Sequence, residues 1–286
     1  MTAPILRQLA EIRDRVRTWR RAGDSIAVVP TMGALHAGHL SLVEQAKRDC
    51  SRVIVWIFVN PMQFNNAGDL DNYPRTEQQD AAKLAPYGVD VIYAPDVDQV
   101  YPDGFASTVS VSGLTQVMDG VFRPGHFDGV ATVVSKIFLQ TGADRAYFGE
   151  KDYQQLQVVR RMARDLDIPI TVVPCPTVRE ASGLAMSSRN LRLSEPGRQQ
   201  ASALYPVLCD AAQALRDGGD VATVTAQAQD HLISAGFDRV EYFDLRRSDD
   251  LSALTALNDA PARLFVAAWI EDVRLIDNIA VTDGDG

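Results

Sequence analysis

A chain of 286 residues with 46% hydrophobic and 23% charged residues can bury a large core, as one large domain or two unequal ones. Its formal net charge of −9 excludes a general nucleic-acid binder, which needs basic surface to displace counterions. Cys50, Cys175 and Cys209 are widely spaced, so neither a disulfide framework nor a zinc site is indicated and free buried thiols are expected.

In chain order, 5–22 reads as an amphipathic helix ended by Gly23, and 25–29 as a first buried strand. A glycine turn follows, then a helix to about residue 48. The Val- and Ile-rich run 52–59 reads as a strand buried on both faces. After a polar loop over 60–76, a short helix begins around Thr76 to Asp80, and 89–94 is a third strand. Strands alternating with helices predict a parallel sheet.

The stretch 101–125 is irregular, with a short strand expected at 108–111. A helical period returns from His126, and 145–148, 153–166 and 168–173 read as strand, helix and strand. Ser194-Glu195-Pro196 is a helix start, opening helices at 195–216 and 220–235. Strands at 240–246, 264–270 and 273–279 follow, with a hairpin at Glu271-Asp272. The expectation is a Rossmann-like parallel α/β sheet with helices on both faces over 1–175, and a smaller α+β domain over 176–286 acting as a lid. The last residues, 283–286, are expected to fray. The longest apolar run falls far short of the roughly 18 residues needed to span a bilayer. The N-terminus lacks the apolar segment of a signal peptide, so a cytoplasmic protein without membrane contacts is expected.

Four stretches carry chemistry. Pro30-Thr31-Met32-Gly33-Ala34-Leu35-His36-Ala37-Gly38-His39 joins a strand to a helix through a glycine turn. Free N–H groups and the positive helix end should converge there into an anion site, with His36 and His39 donating to phosphate oxygens. A His-x-x-His metal pair is the alternative, but no third ligand lies nearby in sequence. Phe148-Gly149-Glu150-Lys151-Asp152 also sits at a strand end, where a lysine suits a phosphate and an aspartate a ribose. Met186-Ser187-Ser188-Arg189-Asn190 offers two hydroxyls and a guanidinium in a loop next to Gly183. Asn60-Pro61-Met62-Gln63-Phe64 and Gln155 supply amides suited to a polar substrate. Each of the last three reads alone as an ordinary cap or solvated loop.

Together with Tyr73-Pro74-Arg75 and Arg123-Pro124-x-His126-Phe127-x-Gly129-Val130, these motifs resemble the pantothenate synthetase (pantoate–β-alanine ligase) family over essentially the whole chain. The resemblance implies that ATP activates pantoate as an acyl adenylate, which the β-alanine amine then attacks, giving pantothenate, AMP and pyrophosphate. It implies an ATP site of Met32, Gly33, Ala34, Leu35, His36, Ala37, Gly38 and His39, then Gly149, Glu150, Lys151 and Asp152, then Val178 through its backbone, and Met186, Ser187, Ser188 and Arg189. His39, His36, Lys151 and Arg189 are the implied catalytic groups. Gln63 and Gln155 should grip pantoate, with Asn60 and Arg123 as lesser candidates. Mg²⁺ should accompany the triphosphate, and Asp80 is a candidate protein contact for it. A homodimer is implied as well. The rivals are a small adenylyltransferase, a fragment of a class I aminoacyl-tRNA synthetase, and a non-catalytic nucleotide-binding regulator.

Overall fold

The computed structural model describes residues 2–64, 70, 73–257 and 260–282. The expectation for 283–286, and part of that for the 60–76 loop, lie outside the described residues. The chain divides into two compact units, Met1–Glu150 with Gln155–Pro176, and Lys151–Gln154 with Thr177–Gly286.

The first unit is built on six parallel strands in the order β1-β4-β3-β2-β5-β6. These are β1 (Ile5–Leu6), β2 (Ile26–Thr31), β3 (Arg52–Ile57), β4 (Val91–Tyr93), β5 (Arg145–Gly149) and β6 (Thr171–Cys175). β2 and β3 lie at the centre, which is why both are near-continuous apolar runs and Ile26, Val28, Val53 and Ile54 are fully buried. The helices Leu9–Arg21, Ala37–Asp49, Glu77–Leu84, His126–Thr141 and Tyr153–Asp165 alternate with the strands. Leu42, Val43 and Ala46 of the second helix pack with Ala27, Val29, Val55 and Tyr147. Because Thr31 pairs with Ile57, the loops that follow β2 and β3 leave the sheet side by side at its carboxyl edge.

The second unit has three antiparallel strands, β7 (Arg239–Arg247), β8 (Ala262–Ile270) and β9 (Val273–Thr282). Leu208, Ala212, Leu215 and Leu232 of the helices Leu204–Arg216 and Val221–Ser234 form one core with Phe243, Leu264 and Val266. The β8–β9 hairpin turns on Glu271 and Asp272, both at positive φ (50° and 58°) as a type I′ turn requires. Among the described residues no helix is long and apolar enough to cross a membrane.

Three expectations are corrected. Ile5 and Leu6 are a strand beside β4 and not a helical turn; Gln8 and Glu11 form a reciprocal cap that starts the helix at Leu9. Residues 108–111 are not a strand, and the Val109 N–H goes to Thr132 Oγ1 at 2.9 Å. The helix expected over 195–216 is two, Glu195–Ala201 and Leu204–Arg216, because Pro206 has no N–H to continue the ladder to Ser202. The segment Lys151–Gln154 clusters with the second unit. There Tyr153 packs on Phe265 with the Arg263 guanidinium over its ring, and Asn278 Nδ2 donates to the Lys151 carbonyl at 2.9 Å.

Candidate active site

In the first unit the site begins where β2 ends. Gly33 (φ +85°) and Ala34 (φ +50°) are both left-handed and swing the backbone into a tight concave loop before the helix Ala37–Asp49. Gly33 is required twice over: its φ is positive, and a Cβ there would stand 3.3 Å from Asp80 Oδ2 and from Ile57 Cγ2. His36 is the helix N-cap, and its Nδ1 accepts from the Gly38 N–H at 3.2 Å. His39 reaches back, so that its Nδ1 accepts from the His36 N–H at 3.4 Å. The two rings are 4.1 Å apart at their centroids. An imidazole nitrogen that accepts from a backbone N–H carries no proton, so both neutral rings hold their proton on Nε2 and present it as a donor.

The amides of this loop are not where the sequence pattern put them to use. The Ala34 and Leu35 N–H groups donate to Asp80 Oδ2 (2.9 Å) and Oδ1 (2.8 Å), and Gly33 N–H donates to Thr31 Oγ1 at 3.2 Å. The chain's own carboxylate therefore sits in the concavity expected to hold phosphate. Asp80 is 0% exposed; Oδ2 accepts from the Ala34 N–H and the Thr76 hydroxyl, and Oδ1 from the Leu35 N–H. Among the described residues no group of three or more His, Cys, Asp or Glu could hold a metal ion.

The loop after β3 builds the amide side of the site. Gln63 Nε2 donates to the Met32 thioether at 2.7 Å, and Gln63 Oε1 accepts from Asn60 Nδ2 at 3.1 Å. Asn60 is 1% exposed and its amide is fully used: Nδ2 also donates to the Gly129 carbonyl, and Oδ1 accepts from the Met62 N–H and the Tyr101 hydroxyl. Burial pushes the Tyr101 phenol well above its ordinary range, keeping that proton in place. Asn60 thus stands behind Gln63 as its support. Arg123 also holds another residue: its guanidinium donates to His126 Nε2 at 3.0 Å and lies 3.9 Å from Asp119. A guanidinium only donates, so the His126 proton is on Nδ1 and goes to the Gln63 carbonyl at 3.0 Å. Gly129 lets the helix His126–Thr141 come this close, since a Cβ there would lie 2.3 Å from the Met62 carbonyl oxygen. Sequence reasoning misses Tyr101, His126 and Gly129 as functional residues; His126 and Gly129 stand only inside a longer motif, and nothing local marks Tyr101. Gln155, half-buried, lies in the first turn of the helix Tyr153–Asp165.

In the second unit Lys151, Ser187, Arg189, Asn190 and Arg274 line one recess. Gly149 ends β5, Glu150–Asp152 is a single tight turn, and Lys151 Nζ is 3.8 Å from Asp152 Oδ1. The Val178 carbonyl accepts from the Met186 N–H at 3.0 Å, and Ser187 Oγ accepts from the Arg189 N–H at 3.2 Å. Arg179 forks onto the buried Asp277 at 2.5 and 3.0 Å and stacks over Tyr205. Glu180 receives Arg198 and Asn190 Nδ2; burial raises its pKa, but those two partners outweigh it and hold the carboxylate below its ordinary value. Asn190 is 3% exposed, and its Oδ1 has no hydrogen-bond partner among the described residues.

A parallel α/β sheet with polar loops at the carboxyl ends of adjacent strands, and paired histidine donors at a helix start, defines a nucleotide-using class of enzyme. Comparison with known proteins narrows the class. A sequence model of the pantoate-beta-alanine ligase family matches residues 4–280. The pantothenate synthetase of Ruegeria pomeroyi is 66% identical over 282 residues, 99% of each chain. That of Ruegeria sp. is 64% identical over 281 residues, 98% of this chain and 100% of the relative. The crystal structure of pantothenate synthetase from Thermus thermophilus superposes with a TM-score of 0.92 at 44% identity, covering 98% of this chain and 100% of that one. The pantoate-beta-alanine ligase of Francisella tularensis, solved in complex with beta-gamma ATP and beta-alanine, gives 0.83 at 34% identity, covering 99% and 100%. The chain belongs to the pantoate–β-alanine ligase family. It is a ligase of pantothenate biosynthesis.

Proposed function

We propose that the two half-reactions run as follows and that the residues above carry them. The pantoate carboxylate attacks the α-phosphorus of ATP, the bond from that phosphorus to the bridging oxygen breaks, and pyrophosphate leaves with the electron pair. The amine of β-alanine then attacks the acyl carbon, the acyl–phosphate bond breaks, and AMP leaves as the amine loses a proton. Negative charge grows on the α-phosphate and the departing pyrophosphate, and fixed donors lower that barrier. The observation that supports the reading is that Nδ1 of His36 and of His39 each accepts a backbone N–H, which leaves Nε2 as the proton-bearing nitrogen of a neutral ring.

His39 and His36 donate to the phosphates, Lys151 and Arg189 add positive charge, and Ser187 and Ser188 add hydroxyl donors. Met32, Gly33, Ala34, Leu35, Ala37 and Gly38 form the wall beneath the nucleotide. Gly149, Glu150, Asp152, Val178 and Met186 hold its ribose and base. Gln63 gives up the Met32 thioether, a weak acceptor, for a pantoate oxygen, which makes the exchange favourable. Gln155 is the second amide on pantoate. Asn60 and Arg123 act one step back, through Gln63. Mg²⁺ belongs to this reading as a companion of the triphosphate, held by phosphate oxygens and water. No step is assigned to it. A cytoplasmic homodimer, and a C-terminal domain that closes as a lid when ATP binds, complete the proposal.

The test is pantoate-dependent ATP–pyrophosphate exchange, followed by AMP release on adding β-alanine. Exchange that needs pantoate but not β-alanine is expected. Absence of exchange from enzyme that binds ATP, or exchange that requires β-alanine, overturns the acyl-adenylate order.

A further inference from the structure

We propose that Asp80 is a positioning residue for adenylation: it fills the amide concavity after β2 and thereby fixes the direction of the His36 N–H and, through it, the tautomer of His39. The inference rests on the reading of those histidines as phosphate donors.

The loop 33–35 is an anion-binding concavity, since the Ala34 and Leu35 N–H groups converge on one carboxylate. The anion it holds is internal. Asp80 takes the Ala34 N–H on one oxygen and the Leu35 N–H on the other. Thr76 Oγ1 donates to Oδ2 at 3.0 Å, and Asp80 lies in the first turn of the helix Glu77–Leu84, where the helix end favours negative charge. Lys83, one turn on, lies 3.9 Å from Oδ1 and donates to the Leu35 carbonyl at 2.7 Å.

Leu35 is therefore gripped at its N–H by Asp80 and at its carbonyl by Lys83. The next peptide N–H is that of His36, the donor to His39 Nδ1. Asp80 thus controls the plane of the group that decides which nitrogen of His39 bears the proton. Ala34 adds a reason for the arrangement. Its left-handed backbone is unfavourable for a residue with a Cβ and persists only where the surroundings impose it.

Three features separate this role from metal binding. The carboxylate is wholly buried, both its oxygens accept N–H donors, and Mg²⁺ normally keeps several waters that this position leaves no room for. They also separate it from bulk packing, because the bonds from Asp80 and Lys83 hold three successive peptides of the functional loop.

The experiment is ¹⁵N NMR of histidine-labelled full-length protein, read beside single-turnover adenylation, for wild type and Asp80→Asn. The Asn side chain must turn an NH₂ toward one of the two backbone donors, so one grip is lost. With four histidines in the chain the spectrum is readable, and His231 on the helix Val221–Ser234 reports folding independently. We expect His36 and His39 as Nε2–H tautomers in wild type. In Asp80→Asn we expect a shift of the His39 pattern with His231 unchanged. Adenylation at saturating substrates should fall roughly 10- to 100-fold, as for a small misplacement of a reacting group. The midpoint of an Mg²⁺ titration should not move, and adding Ala34→Gly should recover part of the rate, because glycine tolerates the left-handed turn unsupported. Lys83→Met, which removes only the grip on the Leu35 carbonyl, should give the same histidine shift at smaller amplitude and stands in if Asp80→Asn does not fold. An unchanged His39 pattern in folded variants overturns the inference whatever the activity. So does a rate loss that extra Mg²⁺ repairs. Wild-type enzyme without pantoate-dependent exchange overturns the functional reading, while the histidine pattern still decides the role of Asp80.

Discussion

The loop after β2 and the loop through Ser187 are both short polar connections, but they are held in opposite ways. In the first, a buried carboxylate grips the two backbone amides that precede His36. In the second, side-chain ion pairs clamp the base: Arg179 on Asp277 and Glu180 on Arg198, with Asn190 tied to Glu180 and the Ala185 carbonyl. Ser187 and Arg189 stand beyond that clamp, and a buried acceptor, Asn190 Oδ1, is left unmatched among the described residues. The first arrangement fixes donors in advance of reaction, which is where electrostatic catalysis gains most. The second secures a loop at its root. Damage near the first should lower the adenylation rate at saturating substrates. Damage near the second should raise the KM for ATP or lower stability.

That contrast can be broken in four places, taken from the largest effect to the smallest. Asp277→Ala strands the Arg179 guanidinium, and breaking one side of a buried pair costs about 3–5 kcal/mol. Thermal denaturation should show a large fall in Tm. Gly129→Ala drives a Cβ into the Met62 carbonyl, which cannot retreat without moving Gln63. The overpacking should cost about 1–3 kcal/mol, with a KM for pantoate raised about 10-fold in steady-state assays. Asn60→Ala leaves Gln63 Oε1 and the Tyr101 hydroxyl without their partner, at about 1–3 kcal/mol, and should raise the KM for pantoate while sparing that for ATP. Glu180→Gln should cost less than about 1 kcal/mol, because Arg198 is 43% exposed and solvent screens the pair. The sign for Glu180 is that of a depressed carboxylate. Its stabilisation is complete above the ordinary value of 4.5 and fades as pH falls through the lower folded value. From neutral to mildly alkaline pH the stability of wild type and Glu180→Gln should therefore run parallel, and the gap between them should close only in acid.

Much of this is legible in the residues. Apolar runs find the central strands, Ser194-Glu195-Pro196 finds a helix start, and Glu271-Asp272 finds a hairpin. Local patterns fail where the partner is distant. Nothing near Ile5 announces pairing with Ile92, far along the chain, so β1 reads as the start of a helix. The glycine turn is recognisable as an anion concavity, but its pattern points to an anion from outside the chain. Asp80 lies 45 residues from Leu35, and only the fold puts its carboxylate there. The partners of Asn60 and Arg123 are equally distant or unmarked: Tyr101, Gly129, His126 and Asp119 gather around them only in the fold. The histidine tautomers are likewise invisible in sequence, because they depend on which backbone N–H each Nδ1 accepts.

The central claim is that His39 acts as a prearranged donor to phosphate during adenylation. Rapid-quench measurement of pantoyl-adenylate formation in a single turnover, with His39→Ala beside wild type, tests it most directly. Loss of a transition-state donor predicts a rate lower by about 10²-fold or more, with little change in the KM for ATP. A near-wild-type rate in the folded variant would contradict the claim.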